Sequence, residues 1–196
     1  SKPTWWHLQK SLSNHEITGN QTLTDVWNEV TNLLNKTLTE QLAHNFQKAV
    51  EMMINASQIN ILGMRSSKAL AIYFGNLLEE FYPKVKQLSL EQDFIYDRVI
   101  RFKENEILFL ISNSPYSSQS VEIAKFCHSR KVPIILLTDH LSSPIASYST
   151  VVLKTEASQK QYSVVPTITL LEALVIEIGR RNSQSAISNL SELGKI

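Results

Sequence analysis

The chain has 196 residues, 43% of them hydrophobic and 19% charged, which fits a folded chain with one sizeable core and excludes wholesale disorder. Lys and Arg number 19 against 18 Asp and Glu, so the net charge of +1 offers no concentrated basic face for nucleic acid. One Cys excludes a disulfide framework, and the five His are scattered without zinc-ligand spacing, so no metal or other cofactor is expected.

In chain order, residues 1–20 are polar and aperiodic and read as a linker or arm. Trp5 and Trp6 lack the basic neighbours that base stacking uses, so they are expected to pack on the domain or on a second subunit. The start has no signal-peptide core, and no apolar run approaches the roughly 20 residues of a membrane span. A cytoplasmic location follows as the expectation. The chain begins without Met, as a fragment of a longer protein does. From Thr22, Leu23, Val26, Val30, Leu33, Leu34 and Leu38 recur at helical spacing, with Thr22 and Asp25 as a capping pair. A second helix is predicted over about 46–55.

An alternation of strand and helix follows. Apolar runs at 59–62, 85–88, 106–111, 133–137 and 151–153 predict five strands. Helices are predicted over 67–81, 92–100, 118–130 and 167–180, with a short one opening at Ser143-Pro144. The central runs are apolar at nearly every position rather than every second one. That pattern belongs to a parallel sheet covered on both faces. The spacing therefore predicts a three-layer α/β/α domain over 21–182. Order 2-1-3-4-5 is taken for its five-stranded parallel sheet, which carries an N-terminal helical arm. Residues 183–196 read as a polar, loose tail.

In such a sheet, ligands bind beyond the C-terminal strand ends where strand order reverses. The loops there are Gly63-Met64-Arg65-Ser66-Ser67 and Ser112-Asn113-Ser114-Pro115-Tyr116-Ser117-Ser118. Both are rich in hydroxyls and both feed a helix, whose N-terminus offers unpaired N–H groups and partial positive charge. Two such loops side by side suit a small dianion, most simply a phosphate monoester. The plainer reading is that these serines are helix caps, since Ser is a preferred N-cap and Pro suits the first helical position. No P-loop is present, and a dinucleotide fingerprint fails because Arg65 stands where its second glycine belongs.

The segments ILGMRSSKALA (61–71), LISNSPYS (110–117), ILLTDHLSSPIA (135–146) and the final apolar helix through Leu171 and Leu174 follow in a fairly specific order and spacing. Together they resemble the sugar isomerase (SIS) domain, in particular the effector domain of RpiR/MurR-type bacterial transcription regulators. The resemblance covers about Thr22 to Arg180. It implies a phosphosugar ligand and dimers or tetramers. It implies Ser67, with Ser66, as the phosphate-binding serines of the first loop, and Ser112, Ser114 and Ser117 as those of the second. Arg65, Asn113, Tyr116 and Glu91 join as accessory sugar-site candidates. Pro115 replaces a family glycine, which removes one N–H donor. Arg65 replaces another and brings a guanidinium suited to phosphate. Such regulators carry a helix-turn-helix domain that nothing here resembles, so DNA would be reached only through a domain outside this chain.

Other SIS proteins are aldose–ketose isomerases, which need a base held against adjacent sugar carbons. Glu91, Glu122, Glu172 and His140 are the candidates, and nothing in the pattern pins one. The sequence therefore reads as a sensor, with isomerase as the alternative. In the sensor reading, the sugar orders residues near Glu91 and the stretch 158–167. The last helix, apolar around most of its girth, is expected to join subunits.

Overall fold

Strands that are apolar at every position need cover on both faces, and the computed structural model supplies it. It describes residues 8, 9, 12, 13 and 19–196; Trp5 and Trp6 lie outside the described residues. Strands β1 (Gln58–Gly63), β2 (Val85–Gln87), β3 (Glu106–Ile111), β4 (Ile134–Thr138) and β5 (Val151–Lys154) form one parallel sheet in order 2-1-3-4-5, as expected. Ile61, Phe109, Ile135 and Val151 lie in register across four strands.

The helices are α1 (Gly19–Thr37), α2 (Glu40–Asn55), α3 (Ser67–Glu79), α4 (Ile95–Ile100), α5 (Ser118–Ser129), α6 (Val165–Arg181) and α7 (Ser183–Leu193). Alternate strand residues serve opposite layers. Ile107, Phe109 and Ile111 pack with α2, α3 and α6, while Leu108 and Leu110 pack with α4 and α5. Asn60 is the polar exception inside β1: its amide donates to the Ile107 carbonyl at 3.1 Å and to Glu106 Oε1 at 3.4 Å. None of the described helices is long and apolar enough to cross a membrane.

The N-terminal and C-terminal helices depart from the sequence reading. α1 already runs from Gly19, so Thr22 lies inside it rather than at its cap, and Asp25 accepts from Gln21 Nε2 at 2.7 Å. Its apolar stripe is buried at Leu33, 3% exposed, and half-buried at Val30 and Leu34, whereas Leu23 and, past the helix end, Leu38 are 65% and 77% exposed. α2 starts at Glu40, well before the expected residue 46, because Thr39 Oγ1 accepts from Leu42 N at 3.1 Å and caps it. The expected loose tail is instead helix α7. It contains neither Gly nor Pro, buries Ala186 against the apolar layer, and donates Asn189 Nδ2 to the Phe81 carbonyl at 2.9 Å. Ser143-Pro144 opens a turn rather than a full helix. Ser143 Oγ accepts from Ile145 N at 3.3 Å, and one 3-10 turn (Ala146–Tyr148) follows.

Candidate functional site

The first loop is shaped by Gly63. A Cβ there would stand 2.4 Å from the Ser67 carbonyl oxygen and 2.8 Å from Ala71 Cβ, so only glycine lets α3 start against the strand end. The Gly63 N–H donates to buried Ser89 Oγ at 2.9 Å. The chain then turns through Arg65 at φ +54°, the left-handed region that a bulky residue rarely occupies. Ser67 N donates to the Met64 carbonyl and Lys68 N to the Arg65 carbonyl, both at 3.1 Å. Ser66 precedes α3 and its hydroxyl makes no capping bond. Ser66 and Ser67 line a cleft at the C-terminal edge of the sheet, while the exposed Arg65 is not among its lining residues.

The second loop behaves differently. Ser112 is 5% exposed and its N–H donates to the Leu137 carbonyl at 3.0 Å, continuing the β3–β4 ladder. Asn113 and Ser114 reach the cleft, and the buried Asn113 Oδ1 has no hydrogen-bond partner. The Ser114 N–H donates to both Asp139 carboxylate oxygens, at 3.2 and 3.1 Å, and the Tyr116 hydroxyl donates to Asp139 Oδ1 at 2.9 Å. Burial pushes the Tyr116 phenol up to about 12; the Asp139 carboxylate acts in the same direction, and the Thr138 and Ser143 hydroxyls oppose it. Ser117 caps α5: its Oγ accepts from Ser120 N at 3.0 Å and lies 2.7 Å from Ser120 Oγ.

The third wall is the segment 155–164 between β5 and α6. Glu156 N donates to Thr37 Oγ1 at 3.0 Å, and Ser158 Oγ donates to Glu29 Oε1 at 2.8 Å. Thr155 and Thr167 hydroxyls meet at 3.3 Å and fasten the segment to the start of α6. This wall includes much of the stretch expected to meet the sugar. Asp139 and His140 complete the cleft, with His140 Nε2 3.9 Å from Asp139 Oδ2. Among the described residues lining the cleft there is no Lys or Arg.

The structure thus brings Ser66, Ser67, Asn113 and Ser114 onto one cleft. Arg65, Ser112, Tyr116 and Ser117 are not among its lining residues. Glu91 points to other chemistry: its Oε2 accepts from Arg98 Nε at 2.5 Å, and it is not among the cleft residues. Of the other base candidates, Glu122 accepts from the Tyr96 hydroxyl at 3.0 Å and Glu172 from the Tyr73 hydroxyl at 2.8 Å, both on the surface. His140 alone of the four lines the cleft. Asp139 was not foreseen, although its position invited it: it follows β4 at the edge where the two serine loops follow β1 and β3.

The SIS-domain family model matches residues 52–177, more than half of the chain. No curated protein matches. Among solved structures, the chain is similar to the sugar isomerase domain of the RpiR transcription factor from Sphaerobacter thermophilus, at 24% identity and TM-score 0.83, covering 90% of this chain and 99% of that one. It is similar to the Vibrio vulnificus NanR protein complexed with ManNAc-6P, at 19% identity and TM-score 0.77, covering 88% and 67%. It is also similar to phosphoheptose isomerase GmhA from Neisseria gonorrhoeae, at 19% identity and TM-score 0.70, covering 83% and 100%. At these identities the likeness is one of fold.

Proposed function

The chain belongs to the SIS-domain family, and we propose that it is the phosphosugar-sensing domain of an RpiR-type transcription regulator. The observation that carries this reading is the meeting of Ser66, Ser67, Asn113 and Ser114 on one cleft, from loops on either side of the strand-order reversal. Ser66 is a donor left over from capping, at the positive end of α3. The similarity to the RpiR transcription factor domain, and to the NanR protein in complex with a sugar phosphate, supports a sensor.

With no Lys or Arg among the described residues lining the cleft, a phosphate is met there by neutral donors. A hydrogen bond to a charged group contributes about 1.5–3 kcal/mol. Three or four of these suffice for the roughly 8 kcal/mol of a micromolar site. Asp139 sets the direction of the ligand: its carboxylate repels phosphate and accepts sugar hydroxyls, so the phosphate belongs toward Ser66 and Ser67, and the sugar toward Asp139 and the third wall. In this reading the protein acts in the cytoplasm as a dimer or tetramer, and DNA is contacted by a domain outside this chain.

The test is thermal unfolding with N-acetylmannosamine 6-phosphate and a set of hexose and pentose phosphates, each beside its free sugar. At 100 times Kd a ligand adds about 2.7 kcal/mol, which raises Tm by roughly 5–10 °C for a domain of this size. A shift with one phosphosugar and none with its free sugar is the expected result. Ser67→Ala and Ser114→Ala should each weaken that binding by roughly ten- to a hundredfold. Ser112→Ala, altered inside the sheet edge, should leave it nearly unchanged. No shift with any phosphosugar counts against the reading.

One observation favours the isomerase alternative. His140 lines the cleft with Asp139 beside it, the only base candidate so placed among those considered. Conversion of an aldose phosphate to its ketose, abolished in His140→Gln, would establish that reading instead.

A further inference from the structure

The segment 155–164, which walls the cleft through Gln161, Tyr162 and Ser163, is fastened to a helix from the opposite end of the chain. Two tethers reach α1. Glu156 N donates to Thr37 Oγ1 at 3.0 Å, and Ser158 Oγ donates to Glu29 Oε1 at 2.8 Å. The Ser158 oxygen also accepts from Lys160 N at 3.0 Å and Gln161 N at 3.1 Å. One hydroxyl therefore builds the turn and ties it to the helix. Lys160 Nζ lies 3.7 Å from Glu29 Oε2.

Glu29 is an unusual anchor. It is 9% exposed on a helix whose preceding residues Leu23, Val26 and Trp27 are all exposed. A carboxylate is seldom buried unless it is bonded. Glu29 and Thr37 lie about two turns apart on one face, some 12 Å along the axis at 1.5 Å per residue. Two tethers at that separation fix the direction of α1 as well as its position. The half of α1 that leads back toward residue 19 extends beyond them.

We propose that Glu29 and Ser158 are a positioning pair that couples the third wall of the cleft to α1, so that ordering residues 159–163 changes how firmly α1 is seated. The coupling is a property of this chain. Its use in signalling rests on the phosphosugar reading above. Coupling between two sites is reciprocal, and that reciprocity is what the experiment reads.

Hydrogen exchange on the full chain measures it. Glu29→Ala should speed exchange of amides 159–164, and Ser158→Ala should speed exchange in α1 near residues 26–33, each by about tenfold beyond any change in β3. Glu29→Gln keeps an acceptor for the Ser158 hydroxyl and should lie between wild type and Glu29→Ala. Ser158→Ala removes one hydroxyl from a surface segment and leaves the core intact. If each alanine variant loosens only its own element, the coupling is refuted. A second arm adds N-acetylmannosamine 6-phosphate and the other phosphosugars. Protection at both 159–164 and α1 in wild type, with the α1 protection lost in Glu29→Ala, is the expected result. Protection at 159–164 alone overturns the coupling and leaves the phosphosugar reading standing. Reciprocal loosening in the alanine variants, with no protection by any phosphosugar, does the opposite.

Discussion

In the loop after β1, Ser66 stands at the start of α3 without a capping bond, and Ser67 lines the cleft beside it. In the loop after β3, Ser112 is buried against β4, Ser117 caps α5, and the Ser114 N–H and Tyr116 hydroxyl both serve Asp139. Both loops are rich in serine, and both join a parallel strand to a helix. What separates them is the surroundings. Gly63 brings α3 so close to β1 that Ser67 N and Lys68 N bond inside the turn, and the Ser66 side chain is not needed as a cap. The second loop has an acceptor, Asp139, placed at the end of the next strand, and it closes around it. A serine is equally suited to capping a helix and to binding an anion, so hydroxyl density in a loop does not say which.

The contrast can be broken most forcefully at Gly63. Gly63→Val places a side chain within 2.4 Å of the Ser67 carbonyl and must push α3 from β1. The expected loss is about 3 kcal/mol in urea unfolding. An unchanged midpoint would mean the tight turn does not shape the first loop. Next comes Asp139→Ala, which strands the Ser114 N–H and the Tyr116 hydroxyl and should cost about 1–3 kcal/mol. Asp139→Asn keeps one acceptor and should cost less. Equal losses in the two variants would assign the effect to charge rather than to hydrogen bonding. A smaller and sharper comparison sets the two loops against each other. Ser117→Ala removes a cap and should cost about 1 kcal/mol, while Ser66→Ala should stay within about 0.5 kcal/mol. A comparable loss for Ser66→Ala would show that it is a structural serine too.

These particulars show what a sequence carries and what it hides. Strand β3 was legible to the residue, 106–111, because both its faces are buried and its residues 107–111 are apolar without a break. The all-apolar pattern marks a parallel sheet covered on both faces but does not set strand order, which entered as an assumption and agrees with the structure. The apolar stripe of α1 was legible as a stripe but not as half exposed, because periodicity reports a face and not what covers it. Helix α7 was hidden by its polar composition, since one small residue, Ala186, makes its contact with the apolar layer. In the candidate site, the serine loops were legible by position. Glu91 was placed toward the sugar because it follows β2, but Arg98, one short helix further on, holds it elsewhere. Asp139 and the Glu29–Ser158 tether depend on contacts between residues 23 to 129 positions apart, which no local spacing encodes.

The finest distinction between the loops lies in a single proton. The Tyr116 hydroxyl donates to Asp139 Oδ1 at 2.9 Å, and burial, aided by that carboxylate, raises its phenol from 10.0 to about 12. An unfolded chain loses this proton first, so its contribution is fully present below pH 10 and is lost as pH rises toward 12. Tyr116→Phe removes both the proton and the hydrogen bond. At neutral pH the variant should be less stable by about 1 kcal/mol. That deficit should shrink between pH 10 and 12, where the wild type loses what the variant never had. Urea midpoints of the two proteins, measured side by side from pH 8 to the alkaline limit of folding, read the difference directly. A deficit that stays constant across the range would mean that the Tyr116 proton is not held by its surroundings. The contrast between the loops would then rest on Ser112, Ser117 and the Ser114 N–H bond to Asp139.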